Sequence, residues 1–303
     1  MNRNIIDAIG TLIKRKPFYL DDPYSSENPN VSARYWSMEE YVKNLFADSF
    51  DAKDMDERSS RRVEVFSHFG NSTNPPDLIL RGGDAIEIKN MYIPERIAAT
   101  FFTYFLESTY DLKYSPLILN TVYPRQKLYA DDMMVTNACR KAETWAVKDI
   151  IYAIGASRGK QLTHLCMVYG SDYCASARHY ENILAEMRVR LKDIPNLHKT
   201  WSERYFGRIC EVDPTGATYL ELRNMWYLEN PWSYFRDVYR PNPSAGFNFM
   251  CIINDEKFYR LKNGNKLLAW AEICPQLKVE LVRIKNPDEP AQKRDALLIR
   301  YEV

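Results

Sequence analysis

The chain has 303 residues, 46% of them hydrophobic and 27% charged, enough apolar material to bury a substantial core in one large domain or two. A net charge of +1 excludes a uniformly basic polyanion binder, so any nucleic-acid surface has to come from locally clustered charge. No apolar run approaches the length of a membrane span, which argues against membrane association and places the protein in the cytoplasm.

The first element is a short amphipathic helix. Ile5, Ile6, Ile9, Leu12 and Ile13 recur at helical spacing in a basic segment, and a packed first helix accounts for them better than a targeting peptide. After a loop rich in Pro, Asn, Asp and Ser, Tyr35 to Phe50 reads as a second helix with Met38, Val42, Leu45 and Ser49 on one stripe and Ser37 as N-cap. At 100° per residue Glu39 flanks that stripe, beside Phe46, where it can face a site next to a sheet, and Glu40 falls near the opposite side. The helix dipole alone would also explain both glutamates. The segment 51 to 62 is polar, a loop or short helix, with Arg58, Arg61 and Arg62 clustered. Such clusters usually face water, although this one can reach phosphate. Val63 to Phe69 then reads as a strand.

The most informative stretch is NSTNPPDLILRGGDAIEIKN, residues 71 to 90. Asp77 opens an apolar run, Arg81-Gly82-Gly83-Asp84 reads as a turn, and Ala85 to Lys89 alternates with the period of a strand, which makes a hairpin. Ile86 and Ile88 point one way; Glu87 and Lys89 point the other, about 7 Å apart, and Asp77 can reach the same face. Two carboxylates with the Ile88 carbonyl between Glu87 and Lys89 form an all-oxygen site suited to magnesium. Such a cation polarises a phosphate oxygen and acidifies a water, which Lys89 would orient or help deprotonate for hydrolysis of a phosphodiester. Acid-x-Lys is a common pattern, however. It occurs at Asp51 and Lys53, Glu87 and Lys89, Asp111 and Lys113, and Asp255 and Lys257, and of these Glu87 and Lys89 alone lie on an alternating strand with a Pro-Asp upstream. The competing reading is an edge hairpin with solvated charges, in a protein that binds DNA or assembles without catalysis. Asp84 is an alternative ligand to Asp77 if the turn folds differently.

Beyond the hairpin, Ile97 to Leu106 reads as a helix, Pro116 to Val122 as an extended segment and Asn137 to Trp145 as a helix. Lys148 to Gly155 reads as a buried strand with a glycine stop, and Leu162 to Tyr169 as its neighbour. This order implies an α/β layer, a mixed central sheet flanked by helices with additional C-terminal elements. Residues 176 to 192 form a strong helix carrying Arg178, Arg188, Arg190 and Lys192, and short strands such as Tyr219 to Leu222 and Phe247 to Ile253 follow. Arg223, Asn224, Arg236 and Arg240 interleave with Trp226, Tyr227, Trp232 and Tyr234, a mixture able to contact phosphates and base edges, although aromatic residues so spaced are more often core. The six cysteines form no CxxC pair, so neither zinc nor a disulfide framework is expected, and Cys166 and Cys174 read as small buried hydrophobes.

These segments together carry a resemblance. EEYVKNLFADSF, NSTNPPDLILRGGDAIEIK, YPRQKLYADDMMVTNAC, WAVKDIIYAIG, VYGSDYCA and ENPW resemble the NgoPII family of type II restriction endonucleases, and the arrangement resembles the PD-(D/E)XK nuclease superfamily. The resemblance implies that Pro76-Asp77 is the PD element, that Glu87-Ile88-Lys89 is the ExK element and that Glu39 is the acidic residue of the preceding helix. It further implies magnesium-dependent cleavage of double-stranded DNA at a short site, leaving 5′-phosphate and 3′-hydroxyl ends, by a homodimer. On this reading residues 1–170 are a nuclease core with its N-terminal helical segment, and residues 171–303 a DNA-recognition or dimerisation region, separate or continuous with the core. A repair or junction nuclease on the same core, cutting by structure, is the rival within the enzymes. Tyr92 to Leu117 and the tail after Tyr239 are expected to depart from the family.

Overall fold

A computed structural model describes residues 3–20, 31–71, 74–92, 118–120, 123–198, 205–223 and 226–303. Three helices come first: α1 (Ile5–Arg15), α2 (Val31–Ala47) and α3 (Met55–Val65). Asn4 closes a capping box with Asp7 on α1. Its apolar face, Ile5, Ile6, Ile9 and Leu12, is completely buried, so the first helix is a packed one.

α2 differs from the sequence expectation at both ends. It begins at Val31, so Ser37 lies inside it and is no N-cap, because nothing from Val31 to Ser37 breaks a helix. It stops at Ala47, where Asp48 turns left-handed at φ 51°. Met38, Val42, Leu45 and Phe46 form its buried stripe, as expected. α3 is capped by Asp54 and runs directly into the first strand, so Val63 to Val65, expected in a strand, are helical.

The strands are β1 (Phe66–Phe69), β2 (Leu78–Leu80), β3 (Ala85–Tyr92), β4 (Ile118–Asn120), β5 (Lys127–Tyr129), β6 (Val147–Arg158) and β7 (Gln161–Tyr169). They continue with β8 (Leu197–His198), β9 (Tyr205–Ile209), β10 (Leu220–Arg223), β11 (Trp226–Leu228), β12 (Asn248–Asn254), β13 (Leu277–Lys285) and β14 (Lys293–Glu302). The principal sheet runs β1-β2-β3-β6-β7-β12-β14-β13, with β5 joining β6 at its start. β3 and β6 are parallel, as are β7 and β12; the remaining neighbours are antiparallel, so the sheet is mixed. Two small ribbons stand apart from it, β10-β9-β8 and β11-β4. Gly155 does not end β6, which continues to Arg158; the missing side chain there makes room for Met38 of α2.

One face of the sheet, carrying Leu78, Ile86, Ile88 and Ile151, packs under α1 and α2. The other, carrying Ile79, Ala85, Met91, Tyr152, Cys166 and Val168, packs against Val135, Cys139, Trp232, Phe235 and Tyr239. The expected hairpin therefore lies inside a sheet covered on both faces. Among the described residues no helix is long and apolar enough to cross a membrane.

The last strands are joined to β7 by a polar contact in this core. His164 faces Asn248 in register, and its Nε2 lies 3.3 Å from Asn248 Nδ2, which fixes the proton on Nδ1, 2.9 Å from Thr163 Oγ1. The Thr163 hydroxyl in turn donates to the Ala156 carbonyl at 2.9 Å. Burial pushes this imidazole down to about 3. The folded protein thus refuses a proton that the unfolded chain accepts below about pH 6.5, so this contribution to stability is intact above that pH and is lost as the pH falls toward 3. We expect His164→Gln to lose less melting temperature than the wild type between pH 6.5 and pH 5, measured by calorimetry across that range.

Candidate active site

The register of the sheet assembles the site. Leu78 faces Ile86 and Ile79 faces Ala85, so one further step brings Asp77 opposite Glu87. Phe69 faces Leu78, so the same step brings Gly70 opposite Asp77, and Gly70 N–H donates to the Asp77 carbonyl at 2.6 Å. On the far side Glu87 faces Tyr152 of β6. Gly70, Asp77, Glu87 and Tyr152 therefore form one row across four neighbouring segments of the sheet, with the last three side chains on the same face.

Each acidic group is tied down. Asp77 Oδ2 accepts the Ile88 N–H at 2.6 Å, and because a strand residue directs its N–H and C=O to the same edge, the Ile88 carbonyl also faces Asp77. Glu87 is only 7% exposed, and its Oε1 receives the Lys89 ammonium at 2.5 Å. The other oxygen, Oε2, is buried and meets no hydrogen-bond donor among the described residues. Burial, then the facing charge of Glu87, push the Asp77 carboxyl up to about 8 against the pull of Lys89 and the Ile88 amide; Glu39 adds to the rise. Glu39 thus stands within electrostatic reach of Asp77 while pairing with Lys43 at 2.7 Å. The solvated-edge reading of the hairpin does not survive: β3 has a neighbour on each side, and its carboxylate is inside the protein.

The other candidates fall elsewhere. Asp84 takes the opposite face of the hairpin, where it accepts the Tyr169 hydroxyl at 2.8 Å and the Lys257 ammonium at 2.8 Å; Lys257 also reaches Asp149 at 2.6 Å. This removes Asp84 as an alternative to Asp77 and gives Lys257 a structural role. Asp51 pairs with Arg15 and Arg61, and Asp111 and Lys113 lie outside the described residues. Glu40 does not face away from the protein: it bonds Lys43 and, at 2.6 Å, Arg62. Burial raises its carboxyl, but the Lys43 and Arg62 contacts outweigh this and hold it below its ordinary value. Arg61 and Arg62 are held in such ion pairs. The expected helix at Ile97 to Leu106 lies outside the described residues.

A pocket opens beside Glu87 and Lys89, walled by Pro75, Tyr123, Arg125, Tyr152, Trp226 and Leu228. The Tyr152 hydroxyl accepts the Arg125 N–H at 2.8 Å and donates to the Arg125 carbonyl at 3.2 Å, which fixes the loop forming this wall. Arg125 is itself buried, bonded to Asp132 at 2.6 Å with its guanidinium 5.1 Å from the Tyr123 ring centre. None of Gly70, Tyr123, Arg125 and Tyr152 stands out in the sequence as a site residue. Of the aromatic residues flagged between 223 and 240, Trp232 is core, whereas Trp226 reaches the pocket.

Whether the residues suit a divalent cation can be judged from the donors. Among the described residues no three carboxylate, imidazole or thiol groups converge. What is present is Asp77, Glu87 with its orphaned buried oxygen, and the Ile88 carbonyl, a small all-oxygen set that fits magnesium, which keeps several waters, and suits zinc or copper poorly.

Comparison with known proteins identifies the family. The family described as NgoPII restriction endonuclease matches residues 3–99 and 108–285. The chain belongs to that family. A relative, the Type II restriction enzyme NgoPII of Neisseria gonorrhoeae, is 40% identical over 301 residues, covering 99% of this chain and 100% of the relative. No solved structure matches at a significant level. The NgoPII match continues to residue 285, so the region after Tyr239, expected to depart from the family, is shared with it. Residues 100–107, within the stretch expected as an insertion, are left unmatched.

Two outcomes follow from the row. Asp77→Asn keeps an acceptor for the Ile88 N–H and removes a carboxyl that the unfolded chain ionises but the folded site resists ionising, so the metal-free variant is expected to melt at or above the wild-type temperature near pH 7 while losing cleavage. A Cβ on Gly70 would stand 2.2 Å from the Pro76 carbonyl oxygen and 3.0 Å from the Asp77 Cα. We expect Gly70→Ala to displace Asp77 and lower the cleavage rate at least about 10-fold, as small misplacements at reacting centres do; steady-state rates beside melting curves check both.

Proposed function

We propose that this member of the NgoPII restriction endonuclease family hydrolyses phosphodiester bonds of double-stranded DNA at a short specific site, with the Asp77-Glu87-Lys89 face as its catalytic centre. The observation that carries the reading is the row itself, in which two carboxylates and an ammonium share one face beside a pocket. Asp77, Glu87 and the Ile88 carbonyl would hold magnesium. When bound, such a cation stabilises charge developing on the phosphate and favours ionisation of the attacking water.

The chain's own groups account for the rest. Lys89, held at 2.5 Å by Glu87, directs its ammonium to where a water and a non-bridging phosphate oxygen meet, orienting the first and countering charge on the second. Water attacks phosphorus in line, the bond to the 3′ oxygen breaks, and the products are a 5′-phosphate and a 3′-hydroxyl. Glu39 serves as an auxiliary acid by adding negative potential at Asp77. Residues 171–303 supply DNA recognition or dimerisation, with Arg178, Arg190 and Lys192 exposed on or just after the helix at 177–190. A two-fold DNA site is best matched by a homodimer.

Incubation with magnesium and plasmid DNA of known sequence, followed by sequencing of the fragment ends, tests this. Discrete bands with one common end sequence are expected; a smear, or cutting confined to branched DNA, would go against it. Asp77→Ala and Lys89→Ala are expected to lower cleavage at least about 100-fold while binding of the duplex in gel shift largely persists.

A further inference from the structure

The catalytic pocket has a second wall that hydrolysis by Asp77, Glu87 and Lys89 does not explain. It is built from residues distant in sequence. Trp226 opens β11 and lies edge-on to Tyr180 (5.3 Å between ring centres, 83°) and to Tyr123 (6.3 Å, 83°). The two tyrosines stack on each other at 5.1 Å. Tyr123 and Trp226 line the same pocket as Glu87 and Lys89. Held against two rings, the indole has a set orientation.

That orientation leaves its one polar atom unused. Trp226 Nε1 is buried and meets no acceptor among the described residues. A buried donor without a partner is destabilising, and where it persists it asks for a reason. The pocket supplies one, because two of the residues that line it, Glu87 and Trp226, each carry a buried orphaned atom, of opposite kind: the acceptor Oε2 and the donor Nε1. A phosphodiester beside a divalent cation would satisfy both: the cation meets the carboxylate, and a phosphate oxygen meets the N–H. Trp232 gives the contrast, since its Nε1 is also orphaned but its ring lies in the second core against His164.

We propose that Trp226 is a substrate-binding residue whose indole N–H donates to a non-bridging oxygen of the phosphate seated beside Glu87 and Lys89. A neutral donor suits this position. A further lysine or arginine would pair with Asp77 or Glu87 and compete with the cation, whereas an indole holds the phosphate without adding charge. The contact reads no base, so it sets the rate and leaves the choice of sequence untouched. This inference rests on the nuclease reading above.

The test uses the full-length protein and duplexes carrying its cleavage site, with a single Rp or Sp phosphorothioate at the cut linkage or either neighbour. Trp226→Phe keeps an aromatic ring and deletes the donor. Single-turnover cleavage of unmodified DNA is expected to slow about 10- to 100-fold, the worth of one hydrogen bond to a charged group, with the cleavage sequence unchanged. One phosphorothioate isomer that slows the wild type is expected to cost the variant nothing further. Unaltered cleavage by Trp226→Phe, or the same phosphorothioate profile in both proteins, would overturn the proposal. If the phenylalanine variant melts low, benzothienylalanine at position 226 keeps the bicyclic ring without the N–H and should be as slow; a normal rate there would overturn it equally. Failure of the wild type to cut any DNA would instead remove the nuclease reading beneath it.

Discussion

The structure is organised around an electrostatic conflict: two carboxyl groups, Asp77 and Glu87, face each other at the end of a hairpin, with Lys89 as the ammonium bonded to one of them. Burial first, and the facing charge of Glu87 second, make ionisation of Asp77 costly and push its carboxyl up to about 8. The surrounding fold serves to hold the arrangement against its own repulsion. Two sheet neighbours fix β3, Gly70 and the Ile88 amide fix Asp77, and Tyr152 stands next in the row. On the proposed function, a cation placed among these oxygens would turn the same conflict into affinity, so that groups costly to bury together would favour a charged ligand.

The local part of this was legible in the sequence. Alternation from Ala85 to Lys89, the Gly-Gly turn and the upstream Pro-Asp sufficed to predict the hairpin and the shared face, because strand period and turn chemistry act over a few residues. The mixed sheet and its flanking helices also followed from the order of elements. Helix ends were less legible: Ser37 looked like a cap and Gly155 like a stop, but a helix without breakers continues upstream, and a glycine in a buried strand can answer to packing by Met38.

What the sequence could not reveal depends on contacts between distant positions. Asp84 was an acceptable ligand until Lys257, 173 residues away, claimed it from the opposite face. Gly70, Tyr152 and Arg125 carry no chemical label; their importance comes from sitting in a row, or in a loop, that only the register creates. Trp226 could be flagged as one of several aromatic residues near arginines, yet Trp232 looked identical in sequence and lies in the core. Periodicity reports which face a residue takes and is silent on what meets it there.

The path of the chain through the sheet carries a consequence for how the protein comes into being. β7 is flanked on one side by β6 and on the other by β12, which begins only at Asn248, so the middle of the sheet is completed by a segment made well after the hairpin. A growing polypeptide already bearing both acids and the amine still has a raw edge along β7 and lacks the core face contributed by Trp232, Phe235 and Tyr239. Translation order thus leaves the sheet open beside β7, close to the hairpin that carries Asp77, Glu87 and Lys89, until the segment from Asn248 onward has been made.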